Sequence, residues 1–99
     1  MPAYVLVYRT PSGGSPSPTP ESMAAWQSWF EGISEHVTDM GRPVFERGAV
    51  GNLDPRTTQL GGYSIITADD LEAAVTAAKG CPVLGRDGGV EIGQLGDLP

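Results

Sequence analysis

The sequence predicts an α+β domain: one four-stranded antiparallel sheet with two helices on one face. Three observations lead there. Four strand-like segments occur at 3–9, 44–51, 58–67 and 90–95. Two stretches carry apolar residues at helical spacing. Turn residues separate these segments, in the order β-α-β-β-α-β. That order is the ferredoxin-like split βαβ arrangement. A length of 99 residues suits one domain, 1–99.

The first strand sends Tyr4, Leu6 and Tyr8 to one side and Ala3, Val5 and Val7 to the other. Both sides are apolar. Residues 10–19 are rich in Ser, Pro, Gly and Thr and read as a surface loop, either a lid or a plain connection. Thr19 and Pro20 suit a helix cap and first turn. From there Met23, Trp26, Phe30, Ile33, Val37 and Met40 step by three and four, which predicts a helix to about Met40. Gly32 interrupts it, and Gly41 with Pro43 stops it.

A weaker strand is expected at 44–51, then a turn at Asn52, Asp54 and Pro55, then a strand centred on Tyr63, Ile65 and Ile66. Asp69 with Glu72 reads as a capping box opening the second helix. Leu71, Ala74, Val75 and Ala78 form its narrow apolar stripe, and Gly80 with Pro82 ends it. Asp87, Gly88 and Gly89 turn the chain into the last strand.

Composition excludes several functions. Twelve acidic against six basic residues give a net charge of −6, which disfavours nucleic acid and anionic membrane surfaces. One cysteine, Cys81, allows no internal disulfide. No apolar run is long enough to span a membrane, and no signal peptide is evident, so a cytoplasmic location is expected. There is no phosphate-binding glycine loop, no paired-cysteine or paired-histidine metal spacing and no nucleophile elbow, so neither metal nor cofactor is expected.

Two helices cover only one face of a four-stranded sheet. The first strand and the centre of the third are apolar on both faces, and the sequence offers no third helix. A second copy of the same sheet, packed through a two-fold interface, is the expected cover.

The opening Tyr4-Val5-Leu6-Val7-Tyr8, the helix residues Met23, Trp26, Trp29 and Phe30, and Gly62-Tyr63-Ser64-Ile65-Ile66 followed by Ala68 and Asp70-Leu71 carry a family likeness. So do Lys79-Gly80-Cys81-Pro82 and Gly88-Gly89-Val90-Glu91-Ile92. Over nearly its whole length the chain resembles the YCII-related (DGPF) domains of the dimeric α/β barrel superfamily. The Asp-Gly-Pro-Phe segment is absent: the chain reads Asn52-Leu53-Asp54-Pro55-Arg56-Thr57-Thr58-Gln59 there, as in a shorter subgroup. The resemblance implies a homodimer with a cleft in each subunit. A few such relatives are cofactor-free isomerases or dehalogenating lyases acting on ring compounds. Their histidine–aspartate pair does not map onto His36, because that histidine falls nearer Trp26 or Trp29.

His36, the one histidine, reads as a general base oriented by Asp39, or as a boundary residue with one nitrogen in water. Trp26 and Trp29 read as pocket walls or as packing, Trp26 the more central in the stripe. Tyr8 and Tyr63 offer hydroxyls to a ligand or to the main chain. Cys81 reads as buried and structural. The expected function is a small-molecule-binding dimer, extending to a cofactor-independent isomerase or lyase that transfers protons in a cleft between the first helix and the sheet. The alternative is a non-catalytic protein-interaction or regulatory module.

Overall fold

A computed structural model describes residues 1–11, 20–53 and 58–96. The element order is β1 (Ala3–Pro11), α1 (Pro20–Gly32), β2 (Val37–Asp39), β3 (Thr58–Thr67), α2 (Leu71–Ala78), a short 3₁₀ turn (Pro82–Arg86) and β4 (Gly89–Gln94). The sheet order is β2-β3-β1-β4, antiparallel throughout. This is the expected ferredoxin-like α+β architecture. The cap at Thr19, the rest of the 10–19 loop beyond Pro11 and the turn at Asp54 and Pro55 lie outside the described residues.

Register assigns the two faces of the sheet. Tyr4 pairs with Ile66, Leu6 with Ser64 and Tyr8 with Gly62. All six are buried under the helices. Val5 pairs with Ile65 and Val7 with Tyr63, and these four side chains share the other face, half-buried. The core is the first face: Tyr4, Leu6, Tyr8, Ile66 and Ala68 from the strands, with Trp29, Ala74, Cys81 and Val83 above them.

The first helix is shorter than its apolar spacing predicts. It ends at Gly32, and residues 33–37 descend through a series of three-residue turns, His36 N–H to the Ile33 carbonyl among them. Glycine costs a helix interior about 1 kcal/mol, and Ser34, Val37, Thr38 and Asp39 are weak helix formers. Against that stands the edge of β3, whose main-chain groups need partners. Val37 and Asp39 supply them opposite Ile66 and Ile65. The strand expected at 44–51 therefore lies earlier. After β2 the chain kinks at Gly41 and pairs again, with a bridge from Pro43 to Gly62 and a bond from Val44 N–H to the Gly61 carbonyl.

The second helix is capped by Asp70 rather than Asp69, its carboxylate accepting from Ala73 N–H at 2.8 Å. Glu72 is then one residue short of the position a capping box requires. The buried face is correspondingly Ala74 and Ala78, with Ala73 and Ala77 half-buried, while Leu71 and Val75 face outward. Small residues let α2 lie close to the sheet. Cys81 is buried at the end of this helix, and burial pushes its thiol from an ordinary 9 up to about 11.

Two outcomes test this arrangement. Gly41 has φ +73°, and a Cβ there would lie 1.6 Å from the Tyr63 carbonyl oxygen. Gly41→Ala is expected to cost at least about 2 kcal/mol in chemical denaturation. The unfolded Cys81 thiol ionises near 9, before the folded one, so its contribution to stability is complete below pH 9 and is lost as pH rises toward 11. Iodoacetamide at pH 8 should accordingly label Cys81 much faster in denaturant than in buffer.

Candidate functional site

An open cavity of about 410 Å³ lies between α1, the Gly61–Gly62 end of β3 and the chain at 40–43. Tyr8 reaches it from β1, Trp26 and Phe30 from successive turns of α1, and Met40 and Arg42 from the kinked edge. Its volume falls within the range of small-ligand pockets, roughly 300–1,000 Å³.

The aromatic wall is one cluster. The Tyr8 and Trp26 ring centroids are 4.9 Å apart at 78°, and Trp26 stands 5.7 Å from Trp29 at 79°. These are edge-to-face contacts, favoured by the ring quadrupoles. Phe30 completes the cluster, 4.9 Å from Trp29. Trp29 itself is buried, and its Nε1–H donates to the Ala77 carbonyl at 3.0 Å. The two tryptophans thus take different places: Trp26 lines the cavity, and Trp29 packs behind it and joins α1 to α2.

Behind the wall runs a polar chain. The Tyr8 hydroxyl donates to Ser64 Oγ at 2.6 Å, and Ser64 Oγ–H donates to the Met40 carbonyl at 2.6 Å. A carbonyl only accepts, so the direction of both bonds is set. Tyr8 spends its proton on Ser64 and toward any third group can only accept. Burial holds its phenol above the ordinary 10, against the opposing pull of the Ser64 bond, so Tyr8 is neutral at physiological pH.

Gly61 and Gly62 make room for this arrangement. A Cβ on Gly62 would lie 2.9 Å from the Arg42 carbonyl oxygen and 3.6 Å from the Tyr8 ring. Paired glycines inside an otherwise apolar strand were the available sequence signal for such a close approach. Phe30 carried the helical spacing of the stripe, whereas Arg42 carried no signal, because its place depends on the kink.

The remaining candidates separate. Tyr63 lines the cavity, but its register opposite Val7 assigns its side chain to the other face of the sheet from Tyr8. His36 lies off the helix, beside Thr67. Five residues of β3 separate Thr67 from Gly62, roughly 16 Å of strand. His36 Nδ1 lies 3.1 Å from the Thr67 carbonyl oxygen, which only accepts, so Nδ1–H is the donor. Asp39 does not orient the ring; its carboxylate accepts from Gly41 N–H at 2.8 Å. Among the described residues the cavity lining has no carboxylate and no imidazole, and no three His, Cys, Asp or Glu residues cluster anywhere. No helix in the described residues is long and apolar enough to cross a membrane.

No family model and no curated protein matches the chain. A solved structure does: 5-chloro-2-hydroxyhydroquinone dehydrochlorinase from Burkholderia phenoliruptrix AC1100, in complex with 2,5-dihydroxybenzoquinone. The TM-score is 0.61 at 18% identity, over 94% of this chain and 93% of that one. The two chains share one α+β fold. At this identity the likeness is one of fold.

Removing one wall of the cavity tests its capacity to bind. Trp26→Ala is expected to weaken binding of a single-ring aromatic probe at least tenfold in equilibrium dialysis, and His36→Ala to leave it unchanged.

Proposed function

We propose that the chain is a cytoplasmic, YCII-related homodimer that binds a small, ring-containing organic molecule in the cavity walled by Tyr8, Trp26 and Phe30. The observation that carries this reading is the cavity itself: apolar, aromatic and about 410 Å³, with a buried hydroxyl chain behind one wall. The neighbour of the same fold is a dehydrochlorinase in complex with a dihydroxybenzoquinone, a molecule of the same general kind. Dimerisation draws support from Val5, Val7 and Ile65, an apolar sheet face that the helices leave half-exposed.

The catalytic extension is a cofactor-independent isomerase or lyase step on that ring. It assigns the base to His36, whose Nε2 is free to take a proton while Nδ1–H is held by Thr67. His36 is not part of the same chain's cavity lining, so this step requires a ligand that approaches the Thr67 end of β3. A second reading, a non-catalytic interaction module, is favoured by the exposed side chains of Phe45, Val50 and Leu53.

Native mass spectrometry of gently purified protein tests the proposal. The expected result is a dimer carrying a small adduct that leaves on denaturation. Val5→Lys, placed at the centre of the open face, should yield a folded monomer. A wild-type monomer would remove the dimer from the reading. A dimer that binds no ring compound would favour the interaction module.

A further inference from the structure

A second hollow, of about 440 Å³, lies at the Thr58–Leu60 end of β3 and shares no lining residue with the aromatic cavity. Arg9 lines it from β1, Thr58 and Leu60 from β3, and Arg47 and Leu53 from the chain after β2.

Hydrogen bonds locate both guanidinium groups there. Arg9 donates from Nε to Thr58 Oγ1 and from Nη2 to the Thr58 carbonyl, each at 3.4 Å. Arg47 donates from Nε to the Leu60 carbonyl at 2.6 Å and from Nη2 to the Val44 carbonyl at 2.7 Å. Thr58 and Leu60 stand two residues apart on one strand, about 7 Å. Two cations are thus anchored to neighbouring carbonyls beside one hollow. The carbonyls carry only partial negative charge, and no acidic side chain lines the hollow among the described residues. The chain has six basic residues and a net charge of −6, yet two of the six share this place. Like charges held close repel, and an anion seated between them relieves the repulsion.

We infer that this hollow binds a phosphate group, the doubly charged oxyanion of a small phosphorylated molecule, between Arg9 and Arg47. Guanidinium forks match phosphate oxygens in geometry as well as charge. Two forks suit a tetrahedral group with oxygens on every side, whereas a carboxylate presents two oxygens in one plane to a single fork. The volume leaves room for the molecule that carries the phosphate, against Leu53. The site is independent of the aromatic cavity and of the function proposed for it.

Inorganic phosphate is the probe, titrated into the full chain at pH 8 and low salt while backbone amide signals are followed by NMR. The expected result is a saturable shift of the Gly48, Thr58 and Gln59 amides, with the Trp26 indole signal unmoved. Arg9→Gln and Arg47→Gln should each weaken phosphate binding at least about fivefold. Arg47→Lys, which keeps the charge and loses the fork, should weaken it less. Arg86→Gln, on the 3₁₀ turn outside the hollow, should leave it unchanged. Chloride at matched ionic strength producing the same shifts would overturn the site, and that comparison uses the wild type alone, so it holds even where a variant does not fold. Folded Gln variants that bind phosphate as the wild type does would also overturn it, leaving the two arginines as clamps on the main chain.

Discussion

The Trp29 indole ties the helical layer together. Its Nε1–H donates to the Ala77 carbonyl of α2, and its ring packs among Tyr8, Trp26 and Phe30. A helix of thirteen residues is marginal on its own in water, so α1 depends on such packing. Removing a buried tryptophan costs about 3–5 kcal/mol. The same contact sets the rotation of α1. With Trp29 turned inward, Trp26 and Phe30, three residues before and one after it, flank the cavity. The cavity wall is thus a consequence of the core contact.

The opposite wall follows from the edge of β3. Its unpaired main-chain groups draw residues 37–39 into a strand and 43–44 into further pairing. The chain can follow that edge only by kinking at Gly41, where the positive φ and the closeness of the Tyr63 carbonyl leave no space for a side chain. The kink brings the Met40 carbonyl within reach of Ser64 and lays the main chain of residues 42 and 43 against Gly62. One backbone constraint thereby sets the direction of the Tyr8 hydroxyl bond.

Much of this was legible in local pattern. Alternation along Tyr4 to Tyr8 and along β3 reports a sheet because side chains on a strand alternate between its faces. The β-α-β-β-α-β order follows from where turn residues interrupt those patterns. The aromatic spacing of Trp26 and Phe30 marked a packed helix face. The apolar spacing also misled: Ile33, Val37 and Met40 continue the helical period, yet they belong to turns and an edge strand, because periodicity does not register the demand of a distant strand for partners.

By itself, then, the sequence determined the fold class, the apolar character of both sheet faces, the burial of Cys81 and the aromatic content of the first helix. Each of these depends on residue type and short-range spacing. Only the tertiary structure decided which tryptophan is core and which is wall, that Asp70 rather than Asp69 caps α2, that His36 lies beside Thr67, and that the Met40 carbonyl meets Ser64. Those depend on contacts between residues far apart in the chain, set by the pairing of β3 and the rotation of each helix as its small or aromatic side chains settle on the sheet.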